Sequence, residues 1–180
     1  MRKFHYHTVY YYIQISIRDV LISDAGQIAI IYNYYVETST CTFDTESLNT
    51  NDIEGKIKNN NGFPWLVYEE NNKILGYVHL SKFKERKAYG NTSELSIYVN
   101  KDYSRKGIGS KLMINIIQTP IKLGITNIIS ALALPNSESL NLHRKMGFNR
   151  NGVLHNVGHK FGRTIDVMYL QLLVDPSMID

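Results

Sequence analysis

Residues 92–118, TSELSIYVNKDYSRKGIGSKLMINIIQ, constrain the fold more than any other stretch of this 180-residue chain. The first eight alternate in the manner of a strand, with Thr92, Glu94, Ser96 and Tyr98 on one face and Leu95, Ile97 and Val99 on the other. A basic bend, SRKGIGS, follows, and from Gly107 onward Ile108, Leu112, Met113, Ile116 and Ile117 recur at helical spacing. A strand that passes through a glycine bend straight into an amphipathic helix belongs to a layered architecture of sheet and helices.

The periods on either side agree. Residues 13–20 alternate as a half-buried strand, and a helix carrying Ile28, Ile31, Tyr32 and Tyr35 starts at a Ser23 or Asp24 cap. ETSTCTFDTES reads as a loop, and residues 50–59 as a short helix with acids early and lysines late, stopped by NNNG. Residues 64–83 form a hairpin about an ENNK turn. KERKAYGN then leads into the strand of residues 92–99. Pro120 ends or bends the following helix, with Gly124 marking the stop. TNIISALAL is a strand, a helix begins near Ser137 and closes at Gly147, and strands over 153–160 and 165–173 finish the chain. The order is β α α β β β α β α β β, a single α/β domain of the α+β kind built on one mixed sheet.

Composition narrows the function classes. A hydrophobic fraction of 43% suits a globular core, and a net charge of +4 without a basic block gives no reason to expect nucleic acid. No apolar run approaches the roughly 18 residues of a membrane span. The N-terminal dozen residues, crowded with His and Tyr, make a poor signal peptide. The single cysteine, Cys41, fits a reducing compartment, so a cytoplasmic location is expected. No metal site is expected; His5 and His7 are close neighbours but sit at the N-terminus.

The bend carries the chemistry. Gly107 and Gly109 let backbone approach a bulky anion, the free N–H groups at the helix start point at it, and Arg105 and Lys106 add charge. A capped surface turn is the other reading of the same residues. The P-loop pattern and the dinucleotide fingerprint are both absent. Glu94 is either an edge-strand glutamate paired with a lysine or, if desolvation raises its pKa, a base able to deprotonate an amine.

YSRKGIGSKLM resembles the acetyl-CoA loop of the Gcn5-related N-acetyltransferase superfamily, with Ser104 where that pattern begins with Gln or Arg. NSESLNLHRKMGF resembles the superfamily's closing motif, with Asn136 and Ser139 at its CoA-contacting positions and His143 where many members have Tyr. ETSTCTF, FKERKAYGNTSELSIYV and VGHKFGRTIDVMYLQ narrow the resemblance to the phosphinothricin N-acetyltransferase family. The blocks span most of residues 15–173 and leave residues 1–12 as an extension to a domain of 13–175.

The resemblance implies the acyl-CoA N-acyltransferase fold, a central mixed, mostly antiparallel sheet of about seven strands flanked by helices. It implies acetyl-CoA as co-substrate, held by Arg105, Lys106, Gly107, Ile108, Gly109, Ser110, Asn136 and Ser139. A bulge in the Glu94 strand would free the amides of Ile97, Tyr98 and Val99 to polarise the thioester. Glu94 falls at the family's catalytic acid and His143 near the thioester sulfur, where imidazole would donate to the leaving thiolate. A helix-surface histidine is the plain reading of the latter.

Thr42, Phe43, Lys84, Arg86, Tyr89, Lys160 and Arg163 are the implied substrate wall, though each cation taken singly reads equally as a solvated loop residue. The expected partner is a small amino-acid-like molecule such as phosphinothricin, methionine sulfoximine or methionine sulfone, acetylated by a homodimer through direct attack in a ternary complex. The alternatives are a peptide N-terminus, a lysine or another amine as acceptor, or a non-catalytic acetyl-CoA-binding protein.

Overall fold

The computed structural model describes residues 14–119 and 123–174. The N-terminal extension of residues 1–12 and the expected helix stop at Pro120 lie outside them. Eleven principal elements appear in the expected order: β1 (Ile15–Asp19), α1 (Ala25–Thr38), α2 (Thr50–Lys58), β2 (Trp65–Glu70), β3 (Lys73–Lys82), β4 (Thr92–Val99), α3 (Ile108–Gln118), β5 (Asn127–Ala133), α4 (Ser137–Lys145), β6 (Asn149–Lys160) and β7 (Arg163–Leu173). The strands form one seven-stranded sheet, β1-β2-β3-β4-β5-β7-β6, in which only the β4–β5 pair is parallel.

Local chemistry explains most boundaries. Asn71 and Asn72 turn β2 into β3 with both residues left-handed, the geometry a two-residue hairpin needs. Asn49 caps α2 by accepting from the Asp52 N–H, and Asp52 returns the bond to the Asn49 N–H. β6 starts at Asn149, four residues before the expected Val153. Two register shifts, at Arg150/Gly152 and Leu154/Gly158, break the alternation that would have marked the strand in the sequence.

The sheet separates two layers. On one face α1 and α2 cover Trp65, Val67 and Tyr77 with Ile28, Ile31 and Ile53. On the other, Leu112, Met113 and Ile116 of α3 pack on Leu75, Val78, Leu80, Leu95 and Ile128, with Leu140 and Leu142 of α4 against the same cluster. Directly opposed residues share a face, so Trp65, His79 and Ser96 point the same way, as do Ser81 and Glu94. All five are on the α1/α2 side, the polar face expected for Glu94.

One feature of the sheet positions the site. β4 and β5 pair over only three rungs, Thr92–Asn127, Ser93–Ile128 and Glu94–Ile129. Beyond Glu94, β4 stays with β3 as far as Val99, and β5 stays with β7 as far as Ala133, so the two central strands part.

The start of α1 is fixed differently from a simple cap. Asp24 is 4% exposed, and its carboxylate accepts from Arg18 Nη1 at 2.7 Å, Arg18 Nη2 at 3.0 Å and the Leu21 N–H at 2.8 Å. Arg18 Nε also reaches Glu69 at 2.6 Å, joining β1, β2 and α1. Burial alone would raise the Asp24 pKa, but Arg18 and the Leu21 N–H outweigh it and hold the carboxyl below its usual range. Arg18→Ala leaves that charge buried without its cation. Urea unfolding is expected to show a loss of about 2 to 3 kcal/mol, the lower end of the cost of orphaning a buried charge because Arg18 is itself part-exposed.

Candidate active site

The gap between β4 and β5 opens into a cleft of about 440 Å³ that ends on the glycine bend. Its walls include Leu95 to Val99 of β4, Ser130 to Leu132 of β5, the start of α3, and Asn136, Ser139 and His143 of α4. Backbone alternation decides which amides face it. The Asn100 N–H donates to the Leu75 carbonyl on the β3 side, whereas the Leu95 carbonyl meets Ser130 Oγ across the gap at 3.5 Å and the Val99 carbonyl accepts from Tyr35 Oη at 2.5 Å. Ile97 and Val99 therefore turn their peptide groups into the gap, while Ser96 and Tyr98 spend theirs on β3. The expected bulge is absent: the β3–β4 register is regular from Gly76–Val99 to Lys82–Ser93. The amides are freed by the parting of β4 from β5, and Tyr98 contributes its ring to the wall rather than its N–H.

The bend is built for an anion. Gly107 caps α3 with φ of 79°, and Arg105 is also left-handed at 59°, so successive backbone groups curve into a concave nest. The first N–H groups of α3, at Ile108, Gly109 and Ser110, have no helical partner and line the cleft. Arg105 lines it too. The Lys106 side chain does not: its ammonium sits 4.6 Å from the centre of the Tyr103 ring. A Cβ at Gly109 would lie 3.1 Å from Leu142 Cδ2, so a side chain there would have to push Leu142 back.

Asn136 caps α4 by accepting from the Ser139 N–H, and its Nδ2 reaches Cys41 Sγ at 3.5 Å. Cys41 and Tyr35 thus join the cleft wall, two residues that sequence patterns gave no reason to place there.

His143 is 1% exposed, packed edge-on to Phe148. Its Nδ1 meets the Ser139 carbonyl at 2.8 Å, so Nδ1 carries the proton and Nε2 presents a lone pair, buried and without a protein partner. Burial lowers its pKa, with the Ser139 contact working the other way. Donation to a thiolate would need the imidazolium, which burial disfavours. The neutral ring, with Nδ1 on the Ser139 carbonyl, has only an acceptor at Nε2.

Glu94 occupies the last rung before the strands part. It is half-buried; desolvation raises its pKa above the usual carboxylate range, and Lys84 pulls it back down. The rest of the expected substrate wall is dispersed. Lys84, Arg86 and Tyr89 lie on the exposed β3–β4 loop, where Tyr89 stands edge-on to Phe83 and the Lys84 ammonium lies over the Phe83 ring. Arg163 is exposed at the start of β7.

Lys160 is not a free cation. It is 4% exposed, its Nζ donates to the Thr42 carbonyl at 2.9 Å, and burial lowers its pKa against the pull of Asp44. Phe43 packs so closely on Gly158 that a Cβ there would fall 2.4 Å from its ring. Lys160, Thr42 and Phe43 thus clamp the α1–α2 loop to the β6–β7 hairpin, and Tyr32 ties the same loop through Thr42 and Asp44, each at 2.7 Å.

An opened sheet with bared amides at its gap, a helix N-terminus at one end and a carboxylate at the other matches a known family. The model of the acetyltransferase (GNAT) domain aligns with residues 17–169. The chain belongs to the GNAT acetyltransferase family. Membership makes it an acetyl-CoA-dependent N-acetyltransferase.

It is 31% identical to phosphinothricin N-acetyltransferase of Streptomyces viridochromogenes, over 87% of this chain and 86% of the relative. It is 30% identical to the L-methionine sulfoximine/L-methionine sulfone acetyltransferase of Pseudomonas aeruginosa, over 90% and 96%. Among solved structures, a Salmonella typhimurium protein with its cofactor acetyl-CoA superposes at a TM-score of 0.87, with 28% identity, 90% of this chain covered and 95% of that one. A phosphinothricin acetyltransferase from Sinorhizobium meliloti in complex with acetyl-CoA gives 0.85 at 28% identity, covering 89% and 88%.

The nest yields a direct test. A β-branched residue at position 107 would carry the left-handed penalty of about 1 to 2 kcal/mol. Gly107→Val is expected to weaken acetyl-CoA binding about tenfold by calorimetry. An unchanged Kd would remove the bend from the binding site.

Proposed function

We propose that the enzyme transfers acetyl from acetyl-CoA to the α-amine of a small amino-acid analogue of the phosphinothricin, methionine sulfoximine or methionine sulfone type, by direct attack in a ternary complex. One observation carries this reading: Glu94, its pKa raised by burial, stands on the final paired rung beside the gap. Relatives named for such acceptors, aligned over nearly the whole chain, support the acceptor class.

The amine reaches the enzyme mostly protonated and must lose a proton before it can attack. Glu94 takes it, directly or through a water. The amine nitrogen then bonds to the thioester carbon while the carbonyl oxygen gathers charge against the N–H groups of Ile97 and Val99. Collapse breaks the carbon–sulfur bond and CoA leaves as thiolate; the amide nitrogen sheds its second proton, and the thiolate takes one up through solvent. Neutral His143 orients the pantetheine end by accepting a hydrogen bond at Nε2. Lys84 and Arg86 draw the acceptor's carboxylate toward Glu94, and Arg163 adds positive field from the hairpin. Thr42, Phe43 and Lys160 hold the loop that closes over it.

We place the activity in the domain of residues 13–175, in a homodimer in the cytoplasm. Leu154, Val157 and Phe161, exposed along the β6–β7 hairpin, support a contact between copies, and a free thiol at Cys41 suits a reducing compartment.

Thiol release from acetyl-CoA across a panel of amines tests the reading. Turnover is expected with methionine sulfone and none with spermidine or a peptide; silence toward every amino-acid analogue would overturn it. Glu94→Gln should cut kcat by about 10² to 10⁴ while acetyl-CoA still binds.

The pH profile has a worked sign. The base must be ionised, so kcat/KM falls as pH drops through the raised Glu94 pKa. Lys84 lowers that pKa. Removing the charge in Lys84→Gln should therefore move the acid limb to higher pH, and an unmoved limb would separate Lys84 from the base.

A further inference from the structure

A second cavity, of about 730 Å³, lies between α2 and the sheet. Its floor is the face that carries Glu94. Ser81, paired with Glu94, lines it, as do His79 and Trp65 in successive strands two rungs on. Ser96 and Tyr98 line both this cavity and the acetyl-CoA cleft, so the two spaces share a wall that begins two rungs, about 7 Å, from Glu94.

Two buried groups on its lining residues lack hydrogen-bond partners among the described residues. Trp65 is 6% exposed, yet its Nε1–H, which can only donate, meets no acceptor. His79 Nδ1 is buried and equally unpartnered. The imidazole stacks on the Trp65 ring with centroids 4.4 Å apart, and Tyr77 continues the stack. Burial pushes the His79 pKa down to about 4 against an opposing interaction with the Leu80 backbone, with Lys56 lowering it further, so the ring is neutral at working pH. Orphaned polar groups on a cavity floor are costly unless something in the cavity satisfies them. Lys56 stands on the α2 side of the same cavity.

We infer that this cavity receives the side chain of the acceptor amino acid, and that Trp65 and His79 select side chains ending in a hydrogen-bond-accepting oxygen over hydrocarbon ones of equal length. The inference rests on the acceptor class proposed above. With the amine at Ser96, between Glu94 and the thioester, a side chain of methionine length runs across the sheet over His79 toward Trp65, which lies two strand spacings, about 10 Å, from Ser96. The stacked rings take its methylene groups, and the Trp65 N–H and a His79 nitrogen meet its terminal oxygens.

The test compares L-methionine sulfone with L-norleucine, which matches its length without the oxygens. The wild-type enzyme is expected to favour the sulfone in kcat/KM, and Trp65→Phe, which keeps a ring but removes the N–H, to lower that preference about tenfold. Gly55 lines the cavity, and a Cβ added there meets no atom within 4 Å. Gly55→Leu fills the space while improving helix propensity, so the fold survives, as circular dichroism would verify. Its KM for the sulfone should rise at least about tenfold with acetyl-CoA affinity as in the wild type.

Trp65 is the only tryptophan in the chain, so its fluorescence reports on the cavity without turnover. Methionine sulfone added to the CoA-bound enzyme should change it saturably, and Gly55→Leu should abolish the change. If no amine is acetylated but the fluorescence titrates, the proposed reaction falls and the pocket stands. If amines are acetylated but neither variant alters the sulfone preference and the fluorescence is flat, the pocket assignment is overturned.

Discussion

The parting of β4 from β5 is the constraint on which the rest of the structure depends. Two neighbouring parallel strands would ordinarily satisfy each other's peptide groups along their whole length. Here the ladder stops at Glu94–Ile129 because each strand keeps its outer neighbour, β3 or β7, and the two sheet halves diverge. Unpaired peptide groups in a cleft are costly unless a ligand meets them. The bared edge is thus a stability defect and, in the function proposed above, the surface that receives the thioester. α3 begins at the same end of the gap, so its free N–H groups continue the line of donors along the cleft.

The two layers divide the labour. α3 and α4 cover the face behind the gap with the larger apolar cluster, which keeps the cleft's rear wall rigid. α1 and α2 cover the other face incompletely, leaving the second cavity above Trp65 and His79. Arg18 with Asp24 at one end of α1, and Lys160 with Thr42 beyond its other end, tie that layer to the sheet and to the β6–β7 hairpin. Two cations among the part-buried and buried side chains thus hold that layer in place.

What was legible in the sequence was local. Period-2 and period-3.6 patterns, helped by caps and turn residues, mark the principal elements in order except the irregular first half of β6, and the glycine bend announces its donors because Gly107 and Gly109 sit where a helix begins. What was not legible depends on partners distant in the chain. The parting of the strands follows from which neighbour each keeps, so a local bulge was expected in its place. Lys160 reads as a free hairpin cation until Thr42, 118 residues away, is seen to take its ammonium. His143 reads as a proton donor until the Ser139 carbonyl fixes its tautomer. Trp65 and His79 looked like ordinary strand residues, and only the register shows them side by side on the face of Glu94.

Residue-resolved amide hydrogen exchange, with and without acetyl-CoA, tests the central claim most directly. In the free enzyme Ile97 and Val99 should exchange much faster than Ser96 and Tyr98, whose N–H groups are held by β3. Bound acetyl-CoA should slow Ile97 or Val99 by about tenfold or more and leave Ser96 and Tyr98 where they were. Equal protection along the whole of β4 in the free enzyme, or protection on binding confined to the glycine bend, would contradict a thioester seated in the gap.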